Sequence, residues 1–256
     1  GYSPATEATR QLLTRSGALP SALQRLPESA AEARALATLF HVPDRHLYLR
    51  ARAQEHTLYA LNDQGRLRDL RYLLFSTHGL LGGQFLPPAP PDAPTGPRLL
   101  TTRTGPAPSA PPPEPREPAL ALTLVGDLHG EDGFLKMGEV LGLDLNADLV
   151  ILSACNTAGE ITADATQGEG FVGLTRAFLF AGAQRLWVSH WRVASTTTRD
   201  LMQTAFAHLH AGQTPAAALA SARQTLRQQT VPLPAANGFL ATAHPLFWAP
   251  FVVVGD

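Results

Sequence analysis

Short, nearly continuous apolar runs alternate along this chain with longer stretches in which apolar residues recur every three or four positions. The runs are HLYLR (46–50), YLLFST (72–77), ALTLV (121–125), DLVILSA (148–154), RLWVSHW (185–191) and FVVVG (251–255). Their length and lack of strict alternation predict strands covered on both faces, as in a parallel sheet. Between them lie helical patterns. Residues 28–40 put Ala33, Leu36 and Phe40 on one face, and residues 170–183 align Phe171, Leu174, Phe178 and Ala181 before a glycine-containing turn. Residues 198–210 carry Leu201, Met202, Ala205, Phe206 and Leu209 on one stripe, and residues 214–229 open with Thr214 as N-cap and Pro215 at the first helical position. Strands alternating with helices predict an α/β fold: a mostly parallel sheet flanked by helices on both faces.

One segment breaks the alternation. Residues 87–118 hold 13 of the chain's 22 prolines. Proline fixes φ and removes a backbone donor, so this stretch resists both helix and inner strand. It is expected to be an extended, mobile insertion between two strands, within a single domain spanning 1–256. The alternative is an activation loop that exposes Arg98, Arg103 and Arg116 to proteolysis. No repeat of 20–50 residues is present.

Composition narrows the classes of partner. The 256 residues carry a formal charge of −1, so charge gives no reason to expect direct nucleic-acid binding or an anionic membrane. No apolar run approaches the roughly 18–20 residues that span a bilayer. The single cysteine cannot form an internal disulfide, which is compatible with a cytoplasmic protein. The chain starts Gly-Tyr-Ser-Pro, and a domain cut from a longer protein is expected.

Candidate chemistry lies at two strand ends. The run YLLFST passes through small polar residues to His78 and Gly79, and DLVILSA leads to Cys155 and Asn156. Active sites of open parallel sheets form beyond the carboxyl ends of the strands. If these two strands are parallel and close, His78 and Cys155 share one rim and face each other across a cleft. A cysteine nucleophile needs its thiolate, and an imidazole supplies the base or ion-pair partner. Gly79 lets the backbone approach a substrate, and its N–H and that of Cys155 are candidate oxyanion donors. Ser153 and Ala154 leave room beside the nucleophile. The other reading of these residues is a packed cysteine and a locally hydrogen-bonded histidine, since free cysteine is among the most buried residue types.

Several ordered motifs carry a family likeness. RLPESAAEARALATLF, RLRDLRYLLFSTHGL, FLKMGEVLGLDLNADLVILSACNTAGE, GEGFVGLTRAFLFAGAQRLWVSHWRV and HPLFWAPFVVVGD together resemble a CHAT domain, a caspase-like peptidase family related in fold to caspases and separases. The resemblance covers nearly the whole chain and implies a caspase-like sheet interrupted by the proline-rich insertion. It implies a cysteine endopeptidase that acts through a thioester acyl-enzyme, with His78 as general base, Cys155 as nucleophile and no cofactor or metal. It further implies Ser153 in the pocket for the P1 side chain, where some relatives with basic P1 specificity carry an acid. Here Asp127, Glu160, Asp164 or Glu169 would have to approach from loops. WVSHW (187–191) matches the place where an extended substrate adds to a sheet edge, making Ser189, His190 and Trp191 candidate contacts. Trp187 and Trp191 are equally read as partly core. The partners implied are a protein substrate and a fused or separate repeat or ligand-sensing domain that gates the enzyme, in bacterial defence or regulated cell death.

Two other motifs compete. GDLHG (126–130) resembles the opening metal motif of calcineurin-like phosphoesterases, but the further Asp, Asn and His motifs of a two-metal site do not follow. QGEGFVGL (167–174) fits neither a P-loop nor a dinucleotide fingerprint and is expected to be a flexible loop beside the cysteine. The rival to the enzyme is a catalytically silent caspase-like binding or assembly module.

Overall fold

In a computed structural model of the protein, the described residues are 26–80, 117–123, 128–156, 167–189, 195–233 and 238–255. They begin with α1 (Pro27–Leu39), which has proline in its first turn, and α2 (Glu55–Asp63). Then follow β1 (Tyr72–Leu80), β2 (Ala119–Ala121), β3 (Phe134–Lys136), the single turn α3 (Met137–Val140) and β4 (Leu149–Asn156). Next come α4 (Gln167–Phe180), β5 (Arg185–Ser189), α5 (Ser195–His210) and α6 (Pro215–Leu226). The hairpin β6 (Thr230–Leu233) and β7 (Gly238–Ala241), the turn α7 (Pro245–Trp248) and β8 (Phe251–Gly255) complete the set.

The main sheet has the order β3-β2-β1-β4-β5-β8. Strands β1, β4 and β5 are mutually parallel, whereas β2, β3 and β8 are antiparallel to their neighbours. The expected α/β class holds, but parallel pairing is confined to the centre and the flanks make the sheet mixed. Parallel neighbours need a crossover, which α4 provides between β4 and β5; the three-residue strands β2 and β3 pair antiparallel at one edge.

Both faces are covered. Val150, Leu152, Ala154, Leu186 and Val188 pack with Leu58, Leu174 and Phe178 from α2 and α4. Leu149, Ile151 and Trp187 pack on the other side with Leu201, Phe206, Leu219 and Ala222 from α5 and α6, with Leu36 of α1 against them. Adjacent residues of one strand serve opposite cores, which is why these runs are apolar throughout rather than alternating. Thr214 caps α6 as expected, its Oγ1 accepting from Ala217 N–H at 3.3 Å. The glycine turn after α4 is needed: Gly182 has φ +108° and a Cβ there would lie 2.1 Å from the Leu145 carbonyl oxygen.

Three expectations are corrected. HLYLR forms no strand; two 3-10 turns (Asp44–His46 and Arg50–Arg52) bracket extended residues with no sheet partner among the described residues, and Arg50 has φ 54°. In the run at 121–125, β2 ends at Ala121, Leu122 and Thr123 are not strand, and residues 124–125 lie outside the described residues. Residues 167–174 are not loop, because α4 begins at Gln167. Residues 87–116 of the proline-rich segment lie outside the described residues, and in chain order the segment connects β1 to β2.

Candidate active site

Neither candidate strand stops where its apolar run ends. Strand β1 continues through the histidine to Leu80 because β2 pairs with its last three residues, His78 with Ala121, Gly79 with Leu120 and Leu80 with Ala119. Leu80, Ala119, Ala121 and Phe134 form a small core of their own that anchors this extension. Strand β4 continues to Asn156 alongside it. The parallel register runs unbroken from Tyr72 with Leu149 to Gly79 with Asn156, and it pairs His78 directly with Cys155. The two positions are thus cross-strand partners on neighbouring strands. His78 is half-buried and Gly79 buried.

The residues just before this pair are tied in place by side-chain hydrogen bonds. Ser76 and Ser153 are themselves register partners. Both donate to one carboxyl oxygen of Glu32 on α1, Ser76 Oγ at 2.6 Å and Ser153 Oγ at 3.1 Å. Thr77 Oγ1 donates to the Ala121 carbonyl. Ser189 Oγ donates to the Ala154 carbonyl at 2.8 Å, linking the end of β5 to β4. Glu32 is only 3% exposed, and burial pushes its carboxyl up to about 7 against the opposing pull of the two serine bonds. Its Oε1 has no hydrogen-bond partner among the described residues.

The other sequence-predicted contacts fall differently. Ser153 and Ser189 are buried and committed to these bonds, and Ala154 belongs to the core beneath α4. The β5 strand is not a sheet edge along Leu186–Val188, where β4 pairs with it on one side and β8 on the other, and β8 pairs with it through Ser189. Trp187 is fully buried in the core, its ring tilted 52° to that of Phe206 with centroids 5.3 Å apart. His190 and Trp191 lie outside the described residues. Asp127, Glu160 and Asp164 lie outside them too, and Glu169 falls in the first turns of α4.

Glu32 is the residue that sequence reasoning missed. It lies four positions before Leu36, within the apolar stripe of its helix, and an acid in such a stripe was the available signal. A second buried acid, Glu55 at the start of α2, accepts from Gly133 N–H and from Tyr59 Oη, the latter at 3.3 Å. Burial pushes it up to about 7 as well, opposed by the Gly133 bond and reinforced by Glu139 and Asp132. From the GDLHG motif, His129 has φ 55° in a turn, and its ring lies 4.4 Å from that of His56. Among the described residues, no group of three or more His, Cys, Asp or Glu side chains is arranged to hold a metal ion.

A family model described as "CHAT domain" matches residues 6–256. The chain belongs to the CHAT domain family. Over 123 residues, 48% of this CHAT chain, it is also 33% identical to "Tetratricopeptide repeat protein 28" of Mus musculus and, to the same extent, to its counterpart in Homo sapiens. The match takes up 4% of each relative's length. Among the described residues of the CHAT chain, no helix is long and apolar enough to cross a membrane.

Proposed function

We propose that this CHAT domain is a cysteine endopeptidase of caspase-like fold that uses His78 and Cys155 as its catalytic pair. The observation that carries the reading is the register: a histidine and the chain's only cysteine are direct partners near the ends of two parallel central strands. Neighbouring strands lie about 5 Å apart, so partner positions set an imidazole and a thiol side by side, within reach of a hydrogen bond between their side chains.

In this reading Cys155 is the nucleophile. His78 takes the thiol proton, and the thiolate attacks the scissile carbonyl carbon. The carbonyl oxygen becomes an oxyanion, for which the backbone N–H groups of Gly79 and Cys155 are the proposed donors. Collapse expels the amine, which takes its proton from His78, and leaves a thioester. Water, deprotonated by His78, then releases the acid and restores the thiol. Membership of the CHAT domain family supports peptidase chemistry. The tetratricopeptide-repeat proteins among its relatives support a repeat-containing context for the gating partner.

The test compares new protein N-termini produced in a cell lysate by this chain and by Cys155→Ala. Termini unique to the intact protein are expected, and their preceding residues define P1. If none appears, and an electrophilic peptide probe also fails to label Cys155, the peptidase reading falls to the silent binding module.

A further inference from the structure

We propose that Glu32 is a positioning residue for the His78–Cys155 pair, acting as a clamp from α1 that holds the two strand ends in register. The inference rests on the peptidase reading and adds to it a residue far away in sequence.

The geometry is specific. One oxygen of Glu32 accepts from Ser76 of β1 and Ser153 of β4, which are register partners. His78 and Cys155 form the register pair two residues further along. Side-chain positions repeat every second residue along a strand, so the serine pair and the catalytic pair are successive on one face, about 6–7 Å apart. That face is the one covered by α1, α5 and α6, as Leu149, Ile151 and Leu74 show. Among the described residues the β4–β5 pairing reaches Leu152, whereas the pairing of β4 with β1 runs on to Asn156. The Glu32 bridge and the Ser189 bond to Ala154 are the cross-links that reach this stretch among the described residues.

The chemistry of the clamp suits this role. A buried neutral carboxyl still accepts both serine hydroxyls through Oε2, and Oε1 has no hydrogen-bond partner among the described residues. A glutamine offers the same accepting oxygen with an amide nitrogen in place of the protonated oxygen, so it should reproduce the clamp. An alanine cannot. Misplacement of a reacting group by about 1 Å can lower a rate by about 100-fold, which sets the scale expected from losing the bridge.

The experiment measures the rate of Cys155 alkylation by iodoacetamide from pH 5 to 9, read by mass spectrometry so that no activator is required. The proteins are the parent chain, His78→Ala, Glu32→Ala, Glu32→Gln and the double variant Ser76→Ala/Ser153→Ala. Near-UV circular dichroism confirms the fold of each. In the parent, His78 should add a component below the ordinary thiol range that His78→Ala lacks. Glu32→Ala and the serine double variant should lower that component about 10- to 100-fold, and Glu32→Gln should restore it. The double variant carries the test if Glu32→Ala does not fold. A folded Glu32→Ala or serine double variant with the parent's profile overturns the clamp. So does a Glu32→Gln as impaired as Glu32→Ala, which would make charge and not bridging the requirement. If instead His78→Ala leaves the parent's profile unchanged, the catalytic pair itself fails, and the clamp fails with it.

Discussion

Replacing Glu32 by glutamine should change how the stability of this protein depends on pH. Glu32 is buried, its carboxyl is pushed from 4.5 to about 7 by desolvation, and the two serine bonds only partly offset that cost. At about 1.4 kcal/mol per pH unit, ionising it in the folded state costs about 3 kcal/mol more than in the unfolded chain. Below pH 4.5 both states hold the proton and this contribution to stability is fully present. Between pH 4.5 and about 7 the unfolded chain releases its proton while the folded one keeps it, so stability falls as pH rises. Above the folded value both states are ionised and the trend ends. Glu32→Gln mimics the protonated acid and should lack this slope. The assay is urea unfolding of both proteins between about pH 4 and 8, followed by far-UV circular dichroism. Glu55 is also raised to about 7 but is common to both, so its contribution cancels in the difference. The parent should lose about 3 kcal/mol more than Glu32→Gln across the range. A difference constant to within about 1 kcal/mol would refute the claim that Glu32 is buried with its proton.

Cys155→Ala should abolish peptidase activity while thermal unfolding stays close to the parent's, and His78→Ala should lower turnover by about 10²–10⁴-fold; parent-like turnover by His78→Ala would remove the histidine from the mechanism. His129→Ala should leave activity unchanged within about twofold, whereas a phosphoesterase using GDLHG would lose it, so phosphodiester and peptide substrates assayed in parallel separate the two. Gly182→Ala forces a side chain onto the Leu145 carbonyl at φ +108° and should destabilise the fold by about 1–3 kcal/mol in denaturant titrations. Trp187→Ala empties a fully buried site between Ile151 and Phe206 and should cost about 3–5 kcal/mol; a loss below about 1 kcal/mol would mean that the site collapses around the gap.

The amino-acid sequence by itself determined the elements whose burial is local in origin. The runs predicted at 72–77, 148–154, 185–191 and 251–255 meet strands at Tyr72–Leu80, Leu149–Asn156, Arg185–Ser189 and Phe251–Gly255, because residues serving two cores must be apolar at every position. Periodicity likewise located α1, α4, α5 and α6, and Thr214-Pro215 marked the start of α6. It also brought His78 and Cys155 into view, as polar or reactive residues following those runs. Only the tertiary structure decided the rest. Pairing with β2 carries β1 through His78 to Leu80, an extension that depends on residues some 40 positions away. Placement of β8 beside β5 turns RLWVS from a candidate edge into an interior strand. HLYLR has the apolar content of a strand but, among the described residues, no neighbour that supplies a ladder, and backbone pairing is a relation between segments that no single segment encodes. Glu32 shows the same limit at the site. Its position in an apolar stripe marks it as unusual, but its meaning comes from two serines on two other elements that the fold brings to one carboxyl oxygen.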